Sequence, residues 1–293
     1  MSWEVSEISN NVHQITFNVN YRNTEWEQWV YVSGDRHHDN QHSNHKLQKK
    51  HLEEAKARNA PIIDVGDFFC LMQGKWDKRK SASGLRTEHR GDDYFDAVPN
   101  TAVDFFKPYA HQFAVIGYGN HETAIIKHHQ TDILKRFVYR LNKEAGSNVF
   151  VGGYGGYVKL LFRDPRQERT TVSKMVKYFH GAGGGAEMSF GTLNVKRRAS
   201  VMPDADIVVS GHIHNKFVVE MARERITSQG RIYLDKQLHV QVGGYKEEYG
   251  DGSSGWHVER GAPPKPLSGY WLRFSASADK RKVWGINVQA MDA

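Results

Sequence analysis

Five short blocks of this sequence gather side chains that can hold metal ions. Asp35 and His37 stand in Gly34-Asp35-Arg36-His37, Asp67 follows Gly66, and Asn120, His121 and Glu122 follow Gly119. His180 precedes Gly181, and His212 and His214 stand in Gly211-His212-Ile213-His214. Transition-metal sites draw on imidazole and carboxylate donors, and neutral imidazole is the commonest protein ligand. Asp35 and His37 are two apart, so in an extended segment they point the same way while His38 starts out facing away. His212 and His214 repeat that spacing. Glycines beside the blocks allow the sharp turn that leaves a strand end. Any one block reads equally well as turn residues and satisfied histidines; five of them favour a common site.

Such residues converge only if the elements before them run to one edge. Apolar runs bounded by turn residues predict strands at 28–34, 60–66, 112–119, 147–153, 156–162, 173–179 and 205–211. Further strands are expected at 216–222, 231–235, 238–244, 269–274 and 282–288. The earlier runs are nearly continuous, as in strands covered on both faces. Helical pattern is clearest at 131–145, where Ile133, Leu134, Phe137, Val138 and Leu141 form one apolar stripe. Thr131 is the expected N-cap there and Gly146 the expected C′ residue. Further helices are expected at 45–59, 99–109 and 188–200. Alternating strands and helices in the first half predict a parallel or mixed α/β sheet, and the strand-rich second half a second sheet packed on it. In such sheets the carboxyl ends of the strands open into the ligand crevice.

The chain has 293 residues, 39% hydrophobic and 25% charged, which suits an ordinary globular protein near the upper size for one core. No repeat or linker interrupts it. A single domain over 1–293 is expected, with a charged insertion at about 70–98 and a Gly/Pro-rich loop at about 249–268. The single cysteine, Cys70, rules out an intrachain disulfide and suits a reducing compartment. The first residues lack the pattern of a secretory signal, and no apolar run reaches the ~18 residues that span a bilayer. A cytoplasmic protein without a membrane partner is expected. The formal charge of +7 favours anionic substrates through long-range steering.

In order and spacing, the five blocks resemble the calcineurin-like metallophosphoesterase superfamily, whose pattern is D-x-H, G-D, G-N-H-[DE], a lone His and G-H-x-H. The resemblance covers residues 35–214. It implies an α/β fold of two mixed β-sheets packed as a sandwich flanked by helices. It implies one metal on Asp35, His37, Asp67 and His214, and a second on Asp67, Asn120, His180 and His212. Mn²⁺ is the first expectation, with Fe, Zn²⁺ or Ni²⁺ as alternatives; the mixed donor set suits such ions better than Ca²⁺ or Mg²⁺. The implied reaction is in-line attack on a phosphate ester by a hydroxide bridging the metals. His121 would be the general acid or transition-state stabiliser, and Glu122 would orient it and hold it protonated.

The substrate is less constrained. Protein Ser/Thr phosphatases of this superfamily place an arginine shortly after G-D, where this chain has Phe68-Phe69-Cys70-Leu71. "GDFF" is closer to the exonucleases and some diesterases, although those usually carry G-N-H-D. The expectation is a phosphodiesterase acting on DNA, RNA or nucleotides, with a nucleotide or phosphoprotein monoesterase as the alternative and a non-catalytic scaffold as a third reading. The segments "MQGKWDKR" and "GNHETAI" resemble calcineurin-like proteins of phage and prophage genomes, which would place the protein in a host cytoplasm. Lys75, Lys78, Arg79 and Arg86, with Trp76 and Tyr94 as stacking platforms, are candidate substrate contacts, as is His38. Asp39, His42 and His45 read as a polar loop, Cys70 as a small core or rim residue, and the glycines of 151–157 as a hairpin turn.

Overall fold

The computed structural model of the chain describes residues 3–20, 25–73, 84–183, 191–250, 252–253, 256–259, 261–278 and 284–293. Strands β1 (Trp3–Ser9), β2 (Val12–Asn18), β3 (Glu27–Ser33), β4 (Ile62–Asp64), β5 (Phe113–Ile116), β6 (Phe150–Val151) and β7 (Gly155–Asp164) occupy the first half. β8 (Gln167–Phe179), β9 (Ile207–Ser210), β10 (Phe217–Ile226), β11 (Ile232–Gln241), β12 (Tyr270–Ala278) and β13 (Trp284–Asp292) follow. The helices are α1 (His45–Ala57), α2 (Tyr94–Phe106), α3 (Asn120–His129), α4 (Ile133–Ala145), α5 (Leu193–Val201) and the short α6 (Trp256–Glu259).

The strands form two mixed sheets, as the resemblance implies. One has six strands in the order β13-β12-β3-β4-β5-β6, and the other seven in the order β1-β2-β7-β8-β9-β11-β10. Between them lies an apolar core with Val32, Ile63 and Leu272 from the first sheet and Leu160, Val176 and Val209 from the second. A second core fills the outer face of the six-stranded sheet, where Tyr31, Ile62 and Trp271 meet Leu52 of α1, Phe106 of α2 and Phe137 of α4. Strand β3 faces both cores, which explains its unbroken apolar run. The outer face of β7 is only half-buried, and its burial alternates along the strand.

The ligand-bearing blocks all leave the carboxyl ends of β3, β4, β5, β8 and β9. β3, β4 and β5 run parallel in one sheet, and β8 and β9 run parallel in the other. Two sheets thus present their strand ends to one crevice.

Several elements differ from expectation. β1 and β2 were not expected, because most of β1 is exposed and shows no clean alternation. Residues 231–235 and 238–244 belong largely to one strand, β11, which pairs with β10 along its whole length. β12 and β13 join the first sheet instead of completing the second, through pairing of β12 with β3. Trp271 and Leu272 of β12 are buried in different cores, so β12 needs an interior position. The 151–157 glycines are a crossover between sheets, since β6 and β7 belong to different ones. Asp132, not Thr131, caps α4 by accepting from Lys135 N–H at 2.9 Å, while Gly146 ends it at φ 65°. α2 begins at Tyr94, five residues before the expected helix at 99–109, and carries Pro99 inside it. Among the described residues no helix is long and apolar enough to cross a membrane.

One buried histidine sets an acid limit on this packing. His51 of α1 lies 3.0 Å from the hydroxyls of both Tyr31 and Tyr245. Burial pulls its pKa from 6.5 down to about 3. The folded state therefore leaves His51 neutral where the unfolded chain would protonate it, so stability falls as pH drops from about 6.5 towards 3. Urea unfolding at stepped pH should show this fall. In His51→Gln it should be shallower by up to ~1.4 kcal/mol per pH unit.

Candidate metal centre

Asp35 is placed at the end of β3 by its backbone N–H, which donates to the Gly66 carbonyl at 2.8 Å. Its Oδ2 accepts from the His212 backbone N–H at 2.8 Å. Its Oδ1 lies 3.3 Å from His214 Nε2 and 4.0 Å from His37 Nε2. The two imidazoles face each other, Nε2 to Nε2, at 3.3 Å. Asp35 Oδ1 and His37 Nδ1 are buried and have no hydrogen-bond partner among the described residues. Leaving such atoms unpaired is costly, so a carboxylate oxygen beside two converging imidazoles fits a cation.

A second group gathers around Asp67. His180 Nε2 lies 3.2 Å from both Asp67 Oδ2 and Asn120 Oδ1. His180 Nδ1 donates to the Val65 carbonyl at 3.1 Å, which turns the other nitrogen towards Asp67. That outer bond is the usual device for orienting a ligating imidazole. His212 brings a ring nitrogen within 4.8 Å of the ligand atoms of Asp67 and His180. Burial opposes charge on His180, but the Asp67 carboxylate outweighs it and pushes the pKa up to about 9. A positive charge is favoured at this position, which a metal would supply as well as a proton does. Asp67 itself is held well below the usual carboxylate range; burial opposes this, and His121 and His180 outweigh it.

The backbone of the site is unusual. Asp35, His37, Asp67, His212 and His214 all have positive φ, between 43° and 74°. Non-glycine residues in this region cost of order 1–3 kcal/mol each and cluster where function over-determines geometry. The expected extended geometry at Asp35 and His37 is therefore absent, although their side chains do approach. His212 and His214 belong to different groups, not to one shared face. Glycine is needed nearby. A Cβ on Gly119 would sit 2.0 Å from Asp67 Oδ1, and one on Gly66, at φ +107°, 2.5 Å from the backbone of Tyr118 and Gly119.

His121 stands at the N-terminus of α3, its backbone N–H donating to Asp67 Oδ1 at 2.9 Å. Its Nδ1 is bonded to the Cys70 carbonyl, and its Nε2 lies 3.7 Å from Asp67 Oδ2. Glu122, expected from the sequence to orient this ring, is bonded to backbone groups. It is buried, and it accepts backbone N–H groups of Gly119 at 2.8 Å, Phe69 at 2.9 Å and Asp67 at 3.2 Å. It ties the Asp67 turn to the start of α3. Burial, and then the Asp67 charge, push its pKa up to about 8.

His38 is also corrected. It is buried, stacked on His45 at 4.0 Å and packed on Phe105 and Phe106, so it supports α1 and α2 and does not line the crevice. Tyr94 is no stacking platform: it is buried and donates to Asp39 Oδ2 at 2.5 Å. Arg86 pairs with Glu88 at 2.7 Å. Lys75, Trp76, Lys78 and Arg79 lie outside the described residues.

Sequence reasoning passed over three supports of the site. Asp39 is buried and accepts from the Cys70 N–H at 2.5 Å and the Leu71 N–H at 3.0 Å, fixing the carbonyl that holds His121. Arg36, between Asp35 and His37, is wholly buried, with Nε 2.7 Å from Asp64 Oδ2 and its guanidinium over the Tyr245 ring at 5.1 Å. Gly244 passes so close that a Cβ there would lie 3.1 Å from Asp35 Cβ. Its signal was in the sequence: Gly243-Gly244 closes β11 as glycine closes the other strand ends.

The sequence matches no protein-family model and no curated protein. Solved structures similar to the chain include a conserved protein from Streptococcus pneumoniae TIGR4 described as a predicted phosphoesterase, at 9% identity, 90% of each chain and a TM-score of 0.32. Vps29 from Chaetomium thermophilum shares 9% identity over 90% of this chain and 96% of its own, with a TM-score of 0.39. A candidate 5′-nucleotidase from Staphylococcus aureus shares 14% identity over 91% of this chain and 54% of its own, with a TM-score of 0.41. Likeness this distant decides nothing about chemistry.

Proposed function

We propose that this chain is a phosphoesterase working with two divalent metal ions. Asp35, His37, Asp67 and His214 would hold one ion, and Asp67, Asn120, His180 and His212 the other. The observation that carries this reading is the convergence of two donor groups at five strand ends, with Asp35 Oδ1 and His37 Nδ1 buried and without a hydrogen-bond partner among the described residues. The motif order of the calcineurin-like metallophosphoesterases supports it. When bound, two such ions neutralise phosphoryl charge and favour ionisation of water at neutral pH.

The chain's own residues do the rest. His121, its Nδ1–H committed to the Cys70 carbonyl, turns Nε2 towards Asp67, and as the imidazolium it would give the Nε2 proton to the departing ester oxygen and become neutral. Asp39 and Glu122 hold the backbone on either side of that histidine. The position where the resemblance would put a monoester-clamping arginine is taken by Leu71, which is buried. This favours a phosphodiester, and the excess of cationic side chains favours nucleic acid or a nucleotide.

End-labelled single- and double-stranded DNA incubated with the Mn²⁺-loaded protein tests the substrate class. Cleavage is expected, and the ladder separates endo- from exonucleolytic action. Intact DNA alongside cleavage of small nucleotides would overturn the nucleic-acid reading. In His121→Ala, turnover should fall ~10²-fold or more with metal content unchanged. Equal turnover would remove His121 from the mechanism.

A further inference from the structure

We infer that Cys70, His37 and His121 form a third metal site, taking a thiophilic divalent ion such as Zn²⁺ or Cd²⁺. Occupancy would withdraw His37 and His121 from the centre described above; that consequence rests on the phosphoesterase reading, whereas the ligation does not. The three residues are buried, and each puts one ligand atom within 4.8 Å of the other two. The sulfur is aimed by the Asn40 side-chain amide, whose Nδ2 donates to Sγ at 3.4 Å. Burial and the Asp39 carboxylate favour the thiol, so the thiolate forms only as a metal displaces the proton, and the Asn40 N–H then faces it.

Both imidazoles are set to take part. With Nδ1 of His121 donating to the Cys70 carbonyl, the ring carries its lone pair on Nε2. His37 turns Nε2 towards His214 at 3.3 Å, while its buried Nδ1 has no hydrogen-bond partner among the described residues. One sulfur and two imidazoles form a softer set than the Asp, Asn and His donors beside it, and they match three of the four ligands of a tetrahedral zinc site. Binding forms a sulfur–metal bond, breaks the S–H bond and releases one proton to solvent, with no change of oxidation state.

Cys70 is the only cysteine of the chain, so any thiolate-to-metal charge-transfer band reports ligation by Cys70. Metal-free full-length protein titrated with Co²⁺ should develop that band in the near ultraviolet. Cys70→Ser should lack it, and His121→Asn should weaken the apparent affinity ~10-fold or more. Visible Co²⁺ absorption without the charge-transfer band would overturn the inference and leave the dinuclear reading standing. Neither absorption would overturn both. A band undiminished in His121→Asn and in His37→Asn would show cysteine ligation without this triad, and the inference would fall.

Discussion

Asp67→Ala should lose phosphoesterase turnover by on the order of 10³-fold and bind fewer metal ions than the wild type. Asp67 is the carboxylate at the heart of the second donor group, 3.2 Å from His180 Nε2 and 3.7 Å from His121 Nε2. Its removal would strip a metal ligand and the carboxylate that faces His180. The variant should fold, because the Glu122 carboxylate still fixes the turn through the backbone of residues 67 and 69. Metal analysis and hydrolysis rates on the same preparation check this. Wild-type rates from Asp67→Ala would remove this group from the chemistry.

The second large effect concerns stability. Arg36→Met should destabilise the fold by ~3–5 kcal/mol, because Asp64 would be left charged and buried without its partner. Arg36 and Asp64 are both wholly inaccessible, joined at 2.7 Å, and Arg36 Nη2 also donates to Ser33 Oγ at 2.8 Å. Asp64 is the last residue of β4, and Arg36 stands beyond the end of β3, between Asp35 and His37. Replacing both with apolar residues should recover much of the loss, since a buried ion pair is often no better than well-packed hydrophobic side chains. Chemical denaturation of the single and double variants measures this. A single variant as stable as the wild type would show that the pair contributes nothing.

The positions of the candidate donor blocks were legible because each follows a run that reads as a strand. Gly66-Asp67 and Gly211-His212 state both the turn and the donor in adjacent letters. What surrounds them was not legible. His38 and Asp39 are polar residues after a strand, and nothing local distinguishes a solvated loop from a buried clamp. Their burial depends on Phe105, Phe106 and Tyr94, which arrive from α2. The function of Glu122 likewise depends on backbone groups of residues 67 and 69, from another strand end. α3 went unseen because its first turn is the ligand block itself, which reads as loop chemistry. β1 escaped because an exposed edge strand needs no apolar pattern.

The account turns on two metal ions acting together on a phosphate ester. Metal-free protein should be back-titrated with Mn²⁺ while hydrolysis of bis(p-nitrophenyl) phosphate is followed. Turnover should rise from near zero and saturate at two equivalents per chain. Saturation at one equivalent, or no turnover at any Mn²⁺ level, would contradict the assignment.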